Sequence, residues 1–257
     1  MDVQYFANRK GVPLANMSHN LALIFDRELQ RIRKQHFCTI ALEEFLTRNG
    51  CFREGTEVLD MGSGIGVPIY HYYKMNPEVR FLGIDHREDC IIAGNEEAKK
   101  RGASGISLEL VAWQALPENY TNRFDGIIST HSLCCMKHVE DGLIPILKLN
   151  PRWIGINSLF YDGPLDVLTH IRRHNDLQHG DDNPDGDFNI FSMQNAAAIC
   201  QKYNYKVQFE PFYPPEPIPK REDKDRGTFT MKTENSDRTQ FSGPVHLPWH
   251  FLLAKKE

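Results

Sequence analysis

The chain has 257 residues, of which 40% are hydrophobic and 25% are charged, so it is long enough for one globular α/β domain with insertions. Its net charge of -4 excludes the strongly basic composition that is typical of nucleic-acid-binding proteins. The chain contains no apolar run of about 18 residues and no secretory signal at its start, so we expect a cytoplasmic protein with no nucleic-acid or membrane partner.

The first predicted elements are helical. Residues 16–49 carry apolar side chains at helical spacing and predict two amphipathic helices, within an N-terminal helical cap that covers residues 1–50. Residues 57–61 then predict a short strand, which leads through the glycine-rich sequence 62–66 into a helix at 67–73. Four polar or aromatic residues of the cap are candidates to close over a ligand, with a simple packed helix as the alternative: Tyr5, Phe6, His19 and Asn20.

The alternation of strands and helices continues along most of the chain. The predicted strands are at 80–84, 106–112, 124–129, 152–160, 205–212 and 249–254, and the predicted helices are near 88–101, 139–149 and 192–203. Strands that alternate with helices pair in parallel through crossover connections, which predicts a doubly wound α/β sheet with helices on both faces. Ligands of such sheets bind at the carboxyl ends of the strands.

Two segments interrupt this pattern, at 161–190 and 214–244, and the second contains a predicted hairpin around 228–241. In the first segment His170 and His174 stand four residues apart, which on a helix places them on one face. We nevertheless expect no metal site, because surface histidines on polar insertions are commoner than ligands. Six cysteines without CxxC pairs predict free, mostly buried thiols.

The sequence from Asp60 to Gly66 places an acidic residue at a strand end and three alternating glycines in the turn that follows. Glycine lets the backbone approach a ligand closely, because it has no Cβ. The G-x-G-x-x-G spacing of dinucleotide-binding proteins is absent, since its third glycine would fall at Val67. Asp60 would also repel a pyrophosphate but attract a cationic cofactor, which disfavours a nicotinamide-dependent oxidoreductase.

Residues 58–66 resemble the first signature motif of class I S-adenosylmethionine-dependent methyltransferases, and residues 55–160 resemble the cofactor-binding core of that family. The resemblance implies a single Rossmann-like methyltransferase domain over residues 1–257, with a mostly parallel seven-stranded sheet whose last strand is antiparallel. It also implies S-adenosylmethionine as cofactor and a carboxylate at Asp85 that binds the ribose hydroxyls. The residues that it implies for cofactor binding are Asp60, Gly62, Ser63, Gly64, Gly66, Asp85, His86, Ala112, Trp113 and Ser129.

The sequence departs from the family at one position. Members commonly carry an Asp after the third strand that contacts the adenine amino group, whereas the matching residue is Ala112. Adenine would then depend on backbone groups and on stacking against Trp113. The alternative is that Trp113 is only a core residue.

The acceptor of the methyl group is expected at the ends of the fourth and fifth strands. His131 is the first candidate for a general base or an orienting group, because imidazole titrates near neutrality, and Tyr161 is a second candidate. The helical cap and both insertions are expected to form the acceptor pocket or its lid.

Residues 129–132 lack the Asn or Asp followed by two prolines that base-methylating members often carry. We therefore expect a small-molecule acceptor, methylated on O, N or C in secondary metabolism. A protein acceptor and an inactive cofactor-binding scaffold stay open, and a homodimer is compatible with the sequence.

Overall fold

The structure is a computed structural model that describes residues 28–172, 185–214, 216–219, 228–234, 236–242 and 249–256. Four candidate residues of the predicted cap lie outside the described residues, as does His174. Residues 28–33 are helical and belong to the first of the two predicted cap helices.

The described helices and strands follow the predicted order, with three short additional strands between the predicted strand at 152–160 and the predicted helix near 192–203. The α-helices are α1 (Phe37–Arg48), α2 (Val67–Met75), α3 (Glu88–Arg101), α4 (Val139–Lys148) and α5 (Met193–Gln201). The first eight strands are β1 (Glu57–Met61), β2 (Arg80–Asp85), β3 (Ile106–Leu110), β4 (Gly126–Thr130), β5 (Trp153–Tyr161), β6 (His170–Arg172), β7 (Asp185–Asp187) and β8 (Phe191–Ser192). The last four strands are β9 (Tyr205–Phe212), β10 (Thr228–Thr233), β11 (Ser236–Ser242) and β12 (Trp249–Lys256).

Seven strands form the main path of the central sheet, in the order β3-β2-β1-β4-β5-β12-β9. The first five of these pair in parallel, and β12 lies antiparallel between β5 and β9. This confirms the predicted doubly wound sheet with an antiparallel last strand. The two-residue strand β8 adds one further parallel pairing, with the end of β5.

Side chains of the sheet alternate between two hydrophobic cores, because successive residues of a strand point to opposite faces. On one face Val58, Ile128 and Leu159 pack in the core that includes residues of α1, α2 and α3. On the other face Leu59 and Ile127 pack in the core that includes residues of α4 and α5. The carboxyl ends of β1, β4 and β5 therefore lie between two helical layers.

Local sequence explains several of the helix ends. The Ser192 hydroxyl accepts a hydrogen bond from the Asn195 amide at 3.2 Å and caps α5. Helix α3 ends at Gly102, which adopts a left-handed conformation, and its first and last turns carry acidic and basic residues that complement the helix dipole. These signals are local, and the boundaries of α3 agree with the prediction.

The insertion after β5 differs from one expectation. His170 lies in β6, which pairs antiparallel with β7, so the condition under which His170 and His174 would share a helix face is not met at His170. The ladder to β7 satisfies the backbone at His170 instead, and the ring lies 3.2 Å from Asp187 Oδ1. In the second insertion the predicted hairpin is confirmed by the pairing of β10 with β11.

Three further features concern the described residues as a whole. All six cysteines are free thiols and five of them are buried, with Cys135 exposed. In the part of the chain that the structure describes, no group of three or more His, Cys, Asp or Glu side chains is arranged to hold a metal ion. Among the same residues no helix has both the length and the apolar character needed to cross a bilayer.

Candidate functional site

The glycine-rich turn between β1 and α2 is fixed to the end of β2. The amides of Gly62 and Ser63 both donate hydrogen bonds to the Ile84 carbonyl at 2.9 Å. Gly62, Gly64 and Gly66 have φ angles of +74°, +55° and +82°, a conformation that glycine adopts without strain. The alternating glycines are therefore required by the backbone path of the turn.

Gly64 borders open space beside the carboxylate of Asp85. Its amide donates a 2.9 Å hydrogen bond to Asp85 Oδ2, and a Cβ added at Gly64 would meet no atom within 4 Å. The other oxygen, Oδ1, accepts a hydrogen bond from the Arg87 amide at 3.0 Å. The exposed His86 ring lies 3.4 Å from this Oδ1. The turn and the end of β2 thus present an acidic edge to the open space.

The residues that follow β4 leave no space for a side chain at Gly62. An added Cβ would lie 2.5 Å from Ser132 Oγ and 3.7 Å from the Trp113 ring. The Ser132 hydroxyl is within hydrogen-bonding distance of both the Gly62 carbonyl, at 3.2 Å, and the Thr130 carbonyl, at 3.3 Å. The residues after β4 therefore hold the glycine turn in place.

Asp60 is buried at the end of β1, with 1% of its surface exposed. Its Oδ2 has no hydrogen-bond partner among the described residues. Burial raises the pKa of this carboxyl to about 8, and the neighbouring Asp85 contributes in the same direction. A positively charged group beside Asp60 would favour the ionised form, as proposed from the sequence.

Ser63 and Ser129 both make contacts within the protein. The Ser129 hydroxyl donates to the Met61 carbonyl at 3.0 Å and is fully buried, so it joins β4 to β1. Ser63 is also buried and lies so close to Gly83 that a Cβ there would approach its Oγ to 2.7 Å. Both residues therefore make contacts with the strands that carry the turn. Their contact with the cofactor stays a prediction.

Ala112 and Trp113 lie in the loop after β3, because β3 ends at Leu110 rather than at the predicted residue 112. The Trp113 indole is buried, and its Nε1 donates to the Gly142 carbonyl at 3.0 Å. The ring is also next to Gly62. Trp113 thus has a packing role, and its position beside the glycine turn keeps the stacking role as a prediction.

His131 follows β4 in a left-handed backbone conformation, with φ of +61°. Its Nε2 lies 3.4 Å from Cys38 Sγ, and this sulfur lies 3.0 Å from His36 Nδ1. Burial, together with His36 and Arg31, lowers the pKa of His131 to about 3, against an opposing hydrogen bond with Asn157. Burial likewise lowers the pKa of His36 to about 4 and raises that of Cys38 to about 12. The cluster therefore contains neutral imidazoles and a protonated thiol at neutral pH.

The two predicted catalytic residues are not adjacent. Asn157 lies opposite Thr130 in the pairing of β5 with β4, so it is level with the end of β4, where His131 follows. Tyr161 is the last residue of β5 and is 37% exposed. Tyr161 is four positions further along β5 than Asn157, which corresponds to about 13 Å of strand rise.

Sequence reasoning missed three polar residues that the fold brings to this region: His36, Cys38 and Tyr72. The first two begin α1, and Tyr72 lies on α2 with its side chain beside Thr130. No motif marks them, because their proximity to β4 depends on how α1 and α2 pack on the sheet. The only signal in the sequence is that polar groups stand on otherwise apolar helix faces.

One stretch of the chain, residues 52–150, resembles a known protein family. These residues match the family model described as a methyltransferase domain. This match agrees with the family that the sequence resemblance indicated for the cofactor-binding core. S-adenosylmethionine is the cofactor that the resemblance implied for this domain. No curated protein sequence matches the chain.

Solved structures share the fold of the methyltransferase domain at low sequence identity. The YcgJ protein from Bacillus subtilis has a TM-score of 0.55 and 12% identity, and the match covers 84% of this chain and 98% of YcgJ. The 1,6-didemethyltoxoflavin-N1-methyltransferase from Burkholderia thailandensis has a TM-score of 0.53 and 15% identity, over 96% and 93% of the two chains. The cyclase SpnF has a TM-score of 0.54 and 14% identity, over 84% and 80%.

The residues of the methyltransferase domain fit this cofactor. The open space above Gly64 adjoins the Asp85 carboxylate, which suits a ribose that donates hydrogen bonds. The unpaired oxygen of Asp60 suits a ligand that carries positive charge. In the sequence interpretation Asp60 faces a cation and Asp85 faces the ribose, and both assignments stay predictions.

Proposed function

We propose that this protein transfers the methyl group of S-adenosylmethionine to an O, N or C atom of a small-molecule acceptor. The observation that carries the proposal is the hydrogen bond from Gly64 to Asp85, next to open space. This arrangement provides a backbone cradle and a carboxylate for the ribose at the carboxyl edge of the sheet, where ligands of doubly wound folds bind.

The proposed mechanism is an in-line displacement. When bound, S-adenosylmethionine supplies an electrophilic methyl group on a cationic sulfur. The Asp60 carboxylate would favour this positive charge, and Gly62 and Gly64 would let the backbone approach the cofactor. Correct alignment of the acceptor and exclusion of water supply most of the acceleration in such a reaction.

His131 is proposed as an orienting group rather than as a general base. Its lowered pKa of about 3 keeps the imidazole neutral, so it is a weak base at neutral pH. A neutral imidazole still donates from one ring nitrogen and accepts at the other. Its ring contacts the Cys38 thiol and the Asn157 side chain, so we propose that it fixes these groups at the end of β4.

A small-molecule acceptor is supported by the negative net charge of the chain and by the fold it shares with an enzyme that methylates the small molecule 1,6-didemethyltoxoflavin. We propose that residues 161–190 and 214–244, with the N-terminal cap, form the walls of the acceptor pocket. Tyr161 stands at the start of the first of these segments and would line its entrance. Small-molecule specificity would then reside in the parts that vary on a common fold.

The fold does not by itself fix the reaction, because the cyclase SpnF shares it. Two measurements test the proposal. Calorimetry compares S-adenosylmethionine, S-adenosylhomocysteine and NAD, and we expect binding of the first two alone. Transfer of a labelled methyl group is then measured with a metabolite extract split by size into small molecules and macromolecules.

Label in the small-molecule fraction is the expected result. Label in the macromolecular fraction would replace the small-molecule acceptor by a protein acceptor. Binding of S-adenosylmethionine without any transfer would indicate an inactive scaffold. Binding of NAD alone would overturn the methyltransferase proposal.

A further inference from the structure

The ring of Tyr161 lies directly against the backbone of Gly163. A Cβ added at Gly163 would lie 2.4 Å from Tyr161 Cε1 and 3.0 Å from Cζ, so even a methyl group there displaces the ring. The φ angle of Gly163 lies outside the left-handed region, so the backbone conformation does not require glycine. The close approach of the Tyr161 ring is therefore what excludes a side chain at position 163.

Ser192 holds the turn that carries this ring. Its hydroxyl donates a hydrogen bond to the Gly163 carbonyl at 2.5 Å, and its amide donates to Asp166 Oδ1 at 2.6 Å. Ser192 also pairs with Tyr161 in the ladder between β5 and β8. Because the same serine caps α5, the turn is fixed to the start of a helix. The ring of Tyr161 is therefore held in one position before any ligand binds.

The ring is accessible, and it lies on the face of the sheet that carries Asp60. Tyr161 is 37% exposed, and side-chain alternation places it on the same face as Leu159. Val58 and Leu159 belong to one hydrophobic core, so Asp60, two residues after Val58, also lies on this face. The exposed ring thus shares a face with the carboxylate that is proposed to face the cofactor.

The ring lies too far along β5 to contact the reacting atoms. Asn157 is level with the end of β4, and Tyr161 lies about 13 Å of strand rise beyond it. The segment after Tyr161 exposes Leu165 and Leu168, at 60% and 57%. Neighbouring exposed apolar side chains are typical of binding surfaces. This part of the carboxyl edge therefore suits an apolar group that is remote from the site of methyl transfer.

We propose that Gly163 is a positioning residue, which holds the Tyr161 ring in place to bind an apolar group of the methyl acceptor. This inference rests on the proposed function, because it takes the carboxyl edge of the sheet as the acceptor site. The acceptor is then an elongated small molecule that reaches from the end of β4 to this ring. Contacts remote from the reacting atoms are the same in the ground state and in the transition state, so they affect KM more than kcat.

Gly105 and Tyr73 provide a matched control at the opposite edge of the sheet. A Cβ added at Gly105 would lie 2.4 Å from Tyr73 Cε2, and the φ angle of Gly105 also lies outside the left-handed region. Gly105 directly precedes β3, which runs parallel to β2, so it lies at the amino edge. Gly105→Ala therefore displaces a tyrosine ring in the same way, but far from the carboxyl edge.

The test measures transfer of a labelled methyl group from S-adenosylmethionine to the small-molecule fraction of a metabolite extract, at increasing extract concentrations. We expect Gly163→Ala and Tyr161→Leu to raise the half-saturating extract concentration about threefold, because contacts with an aromatic ring are lost. Their maximal rates should stay within about twofold of the wild-type rate. Tyr161→Phe keeps the ring and should restore most of the affinity that Tyr161→Leu loses. Gly105→Ala should behave like the wild type.

Three further readouts separate positioning from a structural effect. In the Tyr161→Leu background, Gly163→Ala should have no additional effect, because Gly163 acts through the ring. The melting temperature of Gly163→Ala should equal or exceed that of the wild type, since the exposed ring can move into solvent and alanine restricts the unfolded chain. Calorimetry should show wild-type affinity for S-adenosylhomocysteine in every variant.

The inference is overturned if Gly163→Ala keeps the wild-type half-saturating concentration, if Gly105→Ala raises this concentration equally, or if the double variant is weaker than Tyr161→Leu alone. Loss of S-adenosylhomocysteine binding in Gly163→Ala would overturn it as well. A wild type that does not bind S-adenosylhomocysteine, or that labels no small molecule, overturns the proposed function, and the inference falls with it. The wild-type measurements therefore distinguish the two failures.

Discussion

The amide of Gly64 donates a 2.9 Å hydrogen bond to the carboxylate of Asp85, across 21 residues of sequence. This bond joins the glycine turn after β1 to the end of β2, so the backbone cradle and the carboxylate form one unit. Asp85 also accepts a hydrogen bond from the Arg87 amide. The carboxylate is thereby oriented before any ligand arrives, which lowers the entropic cost of binding.

The first prediction concerns the carboxylate itself. Asp85→Ala should weaken binding of S-adenosylhomocysteine by about 1 to 3 kcal/mol, because charge-assisted hydrogen bonds to the ribose are lost. Asp85→Asn keeps the shape and one acceptor oxygen, so its loss should be smaller. Isothermal titration calorimetry measures both variants. Wild-type affinity in Asp85→Ala would remove the ribose role from this residue.

The second prediction separates backbone strain from ligand contact. Gly55 and Gly64 both have positive φ, and a Cβ added to either meets no protein atom within 4 Å. Gly55→Ala and Gly64→Ala should therefore lose similar stability, about 1 kcal/mol. Only Gly64→Ala should also weaken cofactor binding, because its methyl group would enter the space proposed for the ligand. Denaturation and calorimetry on both variants test this, and equal cofactor affinity would contradict the cradle.

The third prediction concerns the raised pKa of Asp60, about 8 in the free protein. A sulfonium next to this carboxyl favours its ionised form, so binding of S-adenosylmethionine should release a proton. Its affinity should therefore rise with pH up to the region of that pKa. S-adenosylhomocysteine lacks the sulfonium charge and should depend less on pH.

Calorimetry of both ligands from pH 6 to pH 9 measures this difference. In Asp60→Asn the two ligands should show similar pH dependence, because position 60 no longer titrates. Parallel pH profiles in the wild type would argue against a direct charge interaction at Asp60.

The fourth prediction uses the lowered pKa values of His36 and His131. Below the ordinary value of 6.5 the unfolded chain binds protons at these positions while the folded protein does not. The free energy of unfolding should therefore fall as the pH drops from 6.5 towards the folded pKa values. His131→Asn keeps a residue that tolerates positive φ and should lose less stability on acidification.

Urea denaturation at several pH values between 4 and 8 compares the variant with the wild type. Asp60 has a raised pKa and acts in the opposite direction, since it gains stability on acidification. Its contribution is present in both proteins and cancels in the comparison. Identical slopes would contradict a buried neutral imidazole at position 131.

The predicted elements agree with the structure where the signal was local. Helix α3 is closed by Gly102 as expected, and β1 coincides with the predicted strand. Strand boundaries differ by two residues where β3 ends earlier and β4 begins later than predicted. The pairing of β6 with β7 was not predicted, because its two strands are separated by 12 residues of a polar insertion without a local strand signal.

The sequence by itself predicted the residues that we propose to bind the cofactor. The acidic residue at 60, the three alternating glycines and the acidic residue at 85 lie within one strand-turn-helix-strand unit, so short-range geometry fixes their relation. Only the tertiary structure decided what surrounds Thr130 and Asn157. Their proximity to Tyr72, Cys38 and His36 depends on sheet register and on the docking of α1 and α2, which are long-range contacts that no local pattern encodes.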